Sequence, residues 1–131
     1  MRKKSRKGFS FVEMLIVVAI IAILAVIAIP NMLRARVDAH DTVAQATLKS
    51  IAVALETYLA SYHVYPTDPN NLINVNPPYL NKDYFTGMHQ GFNFSHNLSA
   101  YSYSITATPV SMGSTGTRSY TITTGAVLTA H

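Results

Sequence analysis

The chain contains no cysteine, and none of its six acidic residues follows Asp83. The lack of cysteine excludes a stapling disulfide, a thiolate nucleophile and a cysteine-based metal site. His89 and His96 share a polar loop, but no acid is close to them in the sequence, and no convergent set of nucleophile and base is visible. We therefore expect neither an enzyme nor a resident metal or other cofactor.

Charge is also missing from Met14 to Leu33, whereas five Lys and Arg residues precede Gly8. The run from Phe9 to Ile29 has 21 residues and a single acid, Glu13. As an α-helix it would be about 30 Å long, close to the thickness of the hydrocarbon core of a membrane. It is apolar on every face, unlike an amphipathic surface helix. Because all the flanking positive charge comes first, residues 1–8 are expected in the cytoplasm and the remainder across the membrane.

The net charge of +4 belongs to this N-terminal segment. Without it, five basic residues face six acidic ones, so the rest of the chain is near −1. The high isoelectric point is therefore no argument for direct binding of nucleic acid. A length of 131 residues fits one small domain and its anchor.

Two simpler interpretations of the apolar run compete. A secretory signal would have a shorter core and a small-residue cleavage site, whereas here only the poor site Val26-Ile27-Ala28 precedes Pro30. A plain signal anchor explains the hydrophobicity but not Gly8 and Glu13 together. A lone carboxylate near the end of such a helix is costly and usually has a function, although it could also snorkel to the interface.

The segment Gly8-Phe9-Ser-Phe-Val-Glu13 resembles the class III leader of type IV pilins and type II secretion pseudopilins. The resemblance implies that a prepilin peptidase cleaves after Gly8 and methylates the new amine of Phe9. It also implies an assembly role for Phe9, Glu13 and Pro30, the last at a position where many family members carry a helix-loosening proline.

The chemistry of the motif agrees with this resemblance. Cleavage before the apolar run keeps the run as an anchor and creates a positive amine at Phe9. The carboxylate of Glu13 has the opposite charge, and a paired ion among apolar side chains costs far less than an unpaired one. When helices of two subunits pack with a stagger, the carboxylate of one could meet the amine of the next and fix the register.

The remainder of the chain predicts an α+β, pilin-like fold, in which a long N-terminal helix packs against a small antiparallel sheet. Its membrane-spanning half is 9–30 and its amphipathic half 31–62, with an apolar stripe from Leu33 to Tyr62. Asp38 and Asp41 could pair with Arg34 at helical spacing. A connecting loop is predicted over 63–100, where weak alternation at 90–94 is compatible with a first short strand. Alternating segments within 101–129 predict the sheet itself.

The chain also departs from the family pattern. Many type IV pilins close a C-terminal loop with a disulfide, and major pseudopilins often bind calcium through late carboxylates. Neither feature can be carried over to a chain without cysteine and without acids after Asp83. The C-terminal region must therefore be held by packing and hydrogen bonds alone.

The expected organisation is a cleaved cytoplasmic leader at 1–8, a transmembrane or filament-core helix at 9–30, and a periplasmic globular domain at 31–131. The function implied by the resemblance is that of a structural subunit of a pilus or pilus-like filament. Two alternatives stay open: a type II secretion pseudopilin acting in protein export, and a membrane-anchored periplasmic binding module that never polymerises. Implied partners are further copies of the chain, minor pilins or pseudopilins, prepilin peptidase and the inner-membrane assembly platform. The location implied is the bacterial inner membrane, then a periplasmic pseudopilus or an extracellular pilus.

Processing is the first testable consequence. We expect the mature protein to begin with N-methylated Phe9, because the leader pattern places the cut after Gly8. Mass spectrometry of the mature N-terminus measures this. An intact Met1, or a start at Ile29, would contradict it.

Overall fold

The computed structural model describes residues 7–131, so residues 1–6 of the predicted leader lie outside the described residues. Helix α1 begins at Phe11, continues through Pro30 and ends at Tyr62. No glycine occurs between Gly8 and Gly87, and good helix formers such as Ala and Leu are frequent in this stretch. The next residue, His63, terminates the helix: its φ of 61° is left-handed, and its N–H donates to the Leu59 carbonyl at 2.7 Å. The chain divides into two compact units between Ala35 and Arg36.

The first unit is the apolar part of α1. It is long and apolar enough to cross a membrane by length and composition, and none of its most apolar 18-residue window is buried within the described chain.

The second unit holds the rest of α1, a short helix and one five-stranded sheet. Helix α2 spans Asn70–Ile73. The strands follow one another as an antiparallel meander in the order β1-β2-β3-β4-β5. Their bounds are Met88–His89, Phe92–Leu98, Tyr103–Pro109, Tyr120–Thr123 and Val127–Ala130.

Side chains alternate across the sheet, and one face forms the core with α1. Ile105 lies opposite Ile122 in the register, and both are fully buried. Leu48, Ile51 and Leu55 of α1 are also fully buried and belong to the same cluster. An antiparallel sheet with one apolar face needs such a cover, and the helix supplies it. The predicted α+β arrangement of a long helix on a small antiparallel sheet is confirmed.

The predicted limits of the sheet are wrong in one respect. The segment predicted as a connecting loop, 63–100, contains α2, β1 and the seven residues of β2, so the sheet extends from Met88 to Ala130. In β2 the inward positions are Phe92, Phe94, His96 and Leu98, and of these His96 is exposed. This polar residue at an inward position weakens the alternation on which the strand prediction depends.

The ends of the predicted helical stripe are not part of the core. The stripe is buried from Ala44 to Leu55, whereas the side chains of Leu33 and Tyr62 are exposed. The connection after the helix adds its own core residues, namely Tyr65, Leu72 and Leu80. Backbone bonds order this connection, since the N–H groups of Tyr79 and Leu80 both donate to the Leu72 carbonyl at 2.9 Å.

Candidate functional site

The N-terminal motif lies at the start of α1, with Phe9 exposed and Ser10 just before the first helical residue. Glu13 is the third residue of the helix, and its Oε2 accepts a hydrogen bond from the Ser10 N–H at 2.7 Å. This bond is half of a capping box, in which an acid satisfies a backbone donor that the helix leaves free. A carboxylate in the first turn is also stabilised by the helix dipole. Glu13 is therefore held at the helix end next to Phe9.

Gly8 is not required by the fold. A Cβ built on it meets no atom of residues 7–131 within 4 Å, and its backbone is not left-handed. Nothing in this described part of the chain requires glycine at the position.

The apolar part of α1 behind the motif is uncovered. Large side chains along it are exposed by about half or more, from 77% at Phe11 to 58% at Ile29. Contiguous apolar surface on this scale marks a site of contact with lipid or protein.

The outward face of α1 between Thr42 and Ser61 is also short of free polar groups. Lys49 is its one basic residue. Five hydroxyls are bonded back to carbonyls four residues earlier in the helix, so they need no external partner. The bonds, of 2.7–3.2 Å, are made by Thr42, Thr47, Ser50, Thr57 and Ser61. Val43 and Val53 are exposed on the same stretch. This face can therefore pack against an apolar partner without stranding a hydroxyl.

On the inward side of α1, Asp41 holds the connection between β3 and β4. The residue is only 6% exposed. Its carboxylate accepts the Thr117 N–H at 3.0 and 3.1 Å and the Thr117 hydroxyl at 2.5 Å. A Cβ at Gly116 would overlap the Phe92 ring and come within 2.9 Å of Asp41 Oδ1, so glycine permits this approach. The predicted pairing of Asp41 with Arg34 is thus wrong, because the acid faces the core.

Glu56 holds the turn between β4 and β5. Its Oε1 accepts hydrogen bonds from the hydroxyls of Tyr65 and Tyr103 and from the Gly125 N–H, each at 3.1 Å. The Tyr103 hydroxyl in turn accepts the Ala126 N–H at 3.1 Å. One carboxylate of the helix therefore joins the connection after α1, strand β3 and the last turn of the sheet.

The two tyrosines of this cluster are held in their protonated form. Burial, and then the hydrogen bond to Glu56, raises the pKa of Tyr65. Burial is also the largest cause for Tyr103, where the Ala126 N–H acts in the opposite direction and Glu56 adds to the rise, and the pKa reaches about 12. Both phenols therefore stay donors at neutral pH, so the cluster keeps its pattern of hydrogen bonds.

Comparison with known proteins identifies a motif in the same N-terminal segment. Residues 3–29 match the model of the prokaryotic N-terminal methylation motif. Over 72 residues the chain is 43% identical to the type IV wide pilus major component PilA4 of Thermus thermophilus and 32% identical to the type II secretion system core protein G of Pseudomonas aeruginosa. The resemblance to type IV pilins and type II secretion pseudopilins is confirmed.

The matched part is 55% of this pilin-like chain, and it spans only about half of each relative, 55% of the first and 51% of the second. Neither relative's name is that of an enzyme. Among residues 7–131, no group of three or more His, Cys, Asp or Glu side chains is placed to hold a metal ion. His89 and His96, considered above as a pair, lie against different rings, those of Tyr84 and Phe85.

The N-terminal motif of this pilin-like chain was predicted from the sequence. The roles of Asp41 and Glu56, the two carboxylates that hold its sheet, were not. A signal for Asp41 was available, because it lies three residues before Ala44 and seven before Leu48, on the buried stripe itself. An acid on such a stripe needs a buried donor. Glu56 flanks the stripe beside Leu55, and only the fold shows that two tyrosines and a turn converge on it.

These contacts predict that Asp41→Ala and Glu56→Ala destabilise the globular unit. Each change leaves part-buried donors without their acceptor, and hydrogen bonds to charged groups are worth about 1.5–3 kcal/mol each. Urea unfolding of the fragment from Asn31 onward, followed by circular dichroism, measures the loss. Asp38→Ala is the matched control, because Asp38 is an exposed acid of the same helix. Equal stability of all three variants would contradict the assignment.

Proposed function

We propose that this chain is a structural subunit of a type IV pilus or pilus-like filament, which polymerises through α1 after cleavage behind Gly8 and N-methylation of Phe9. The observation that carries the proposal is the combination of the methylation motif with an apolar helix that nothing in the described chain covers. Lipid can cover this surface before assembly, and helices of other copies can cover it afterwards.

Each part of the N-terminal motif has a use in this scheme. Gly8 meets no structural need within residues 7–131, which favours recognition by a peptidase. Glu13, already held at the helix end by the Ser10 N–H, has a second carboxylate oxygen with which to meet the amine of an incoming Phe9. Pro30 lacks a backbone donor inside α1, which allows local extension of the helix during packing.

The second half of α1 also supports polymerisation rather than simple anchoring. Its outward face has its hydroxyls bonded to its own backbone and a single basic residue, Lys49. An anchor that carries a solitary periplasmic domain has no need of such a face, and a well-solvated face would be expected instead.

Protein export through a type II secretion pseudopilus is the second candidate, and the similarity to core protein G favours it. Both candidates share the same partners: further copies, minor pilins or pseudopilins, prepilin peptidase, the assembly platform and lipid of the inner membrane. In both, the globular unit is periplasmic before assembly. The non-polymerising binding module is disfavoured because it needs neither Gly8 nor Glu13.

Variants of Glu13 test the proposal. We expect Glu13→Ala and Glu13→Gln to insert in the membrane and to be processed, because neither change reduces the hydrophobicity of the run. Both should fail to assemble, since the amine of an incoming Phe9 loses its acidic partner. Breaking a buried ion pair costs about 3–5 kcal/mol. Immunoblots of the membrane fraction measure processing, and the yield of sheared filaments measures assembly.

The glutamine variant separates two roles of the side chain. Its amide oxygen can still accept the Ser10 N–H, so a role confined to helix capping would leave assembly intact. Asp38→Ala is the control for loss of an acid elsewhere on α1 and should give the wild-type yield. Wild-type yield from both Glu13 variants would contradict an assembly role for Glu13, and a wild-type chain that forms no filaments would support the plain-anchor interpretation.

A further inference from the structure

Two charged side chains of α1 just beyond the apolar run, Arg34 and Asp38, have no ionic partner within residues 7–131. They lie about one helical turn apart, and both are exposed. Neither side chain makes a hydrogen bond to any other residue of this described part. The other acids of α1 after Pro30 are Asp41 and Glu56, and both hold turns of the sheet. Among the acids of α1 after Pro30, Asp38 is therefore left for a partner outside the chain.

The order of the two charges is also unsuited to a pair within one helix. A base followed four residues later by an acid is the poorer order, because it opposes the helix dipole. The expected pairing of Asp38 with Arg34 inside α1 is accordingly not formed among the described residues. Both charges are therefore available to a second molecule.

The N-terminus has the same order and spacing of charge. In the proposed function, the amine of Phe9 in one copy meets the carboxylate of Glu13 in another, and these residues are four positions apart. Arg34 and Asp38 repeat the arrangement, with the base first. No other two of the Lys, Arg, Asp and Glu residues of α1 are four positions apart. Four residues of a helix rise by about 6 Å.

We propose that Arg34 of one copy pairs with Asp38 of the neighbouring copy whose Glu13 meets its Phe9 amine. The inference rests on the proposed function, because the pairing of Phe9 with Glu13 sets the offset between the copies. Copies in one filament are related by a single screw operation, so their axial offset is the same at every level. Extension of the helix at Pro30 leaves this offset unchanged, because it occurs equally in both copies.

The second ion pair would select the register of the two helices. An exposed pair contributes little attraction, because water and salt screen it. Like charges in contact are unfavourable, however, and helices packed without an offset would place Arg34 beside Arg34 and Asp38 beside Asp38. A second copy also fits both charges better than an anionic lipid headgroup, which Asp38 would repel.

Reversal of either charge tests the pairing. Arg34→Asp leaves two acids at these positions and Asp38→Arg leaves two bases, so like charges meet at every contact between copies. We expect both variants to be processed normally, and each alone to give a yield of sheared filaments reduced about tenfold or more, because the repulsion is repeated along the filament. Asp38→Ala removes only a weak exposed attraction and should keep the wild-type yield.

Co-expression of the two defective variants separates a contact between copies from a contact within one copy. Where the two chains alternate, an acid again meets a base at each contact. We therefore expect the mixture to give nearly the wild-type yield, in filaments that contain both chains when each carries a different tag. A pair within one helix could not be restored in this way.

Arg36→Asp is the matched control for charge reversal. Arg36 is exposed on the same helix, but the residue four positions after it is His40 and not an acid. Arg36→Asp alone should give the wild-type yield. Co-expressed with Asp38→Arg, it should leave the Asp38→Arg chain out of the filaments.

Cross-linking provides a second measurement that does not depend on how well the charge-reversed chains fold. Because the chain has no cysteine, Arg34→Cys and Asp38→Cys each supply one thiol. In filaments of the co-expressed mixture, a short bis-maleimide should join the two chains into a dimer that contains both tags. Arg36→Cys in place of Arg34→Cys should give little of this dimer.

The outcomes separate this pairing from the proposed function. Wild-type filaments together with full assembly of both charge-reversed variants, or with no rescue and no mixed dimer, would overturn the pairing and leave the proposed function intact. Loss of the processed membrane form in Arg34→Asp but not in Asp38→Arg would also overturn it, since the partner of Arg34 would then be a lipid. A complete absence of wild-type filaments would overturn both.

Discussion

The exposed apolar surface of α1 between Phe11 and Ile29 is the constraint on which the rest of the structure depends. No other part of the described chain covers it, and water is a poor solvent for it. Helix α1 ends at Tyr62, and its buried stripe from Ala44 to Leu55 is one wall of the small core of the second unit. A single element thus carries both the surface that needs an external partner and the surface that organises the globular unit. The sheet covers only the buried stripe of the C-terminal half of α1.

That sheet is joined to the helix by polar as well as apolar contacts. Asp41 and Glu56 lie fifteen positions apart on α1 and hold two successive turns, at Thr117 and at Gly125. In a chain with no cysteine and no late acid, these carboxylates perform the attachment that a disulfide or a calcium ion could otherwise provide. Both side chains act on backbone N–H groups of turns, so they fix the turns rather than merely contacting them. The packing of Ile105 and Ile122 on the helix completes the attachment.

The features that could be predicted from the sequence are those carried by a long, local pattern. The charge-free run, its flanking leader and the Gly8–Glu13 spacing led to the resemblance to type IV pilins and pseudopilins, and the period of α1 led to its buried stripe. Contacts between side chains that lie far apart in the chain could not be predicted. Nothing local reveals that Glu56 meets Tyr103, and His96 at an inward position concealed the full length of β2. The alternation of Ser and Thr in the strands was visible in the sequence, but which strands lie side by side depends on the register of the sheet.

Polymerisation through α1 is tested most directly by measuring whether water-soluble reagents reach the apolar run of α1 in assembled filaments. Because the chain has no native cysteine, Ala22→Cys in the apolar run and Ser114→Cys in the exposed connection after β3 each provide a unique thiol. Sheared, membrane-free filaments are treated with a water-soluble maleimide before and after denaturation. The account predicts near-complete labelling of Ser114→Cys at once and labelling of Ala22→Cys only after denaturation. Equal labelling of both thiols in intact filaments would show that the apolar helix is not buried by other copies.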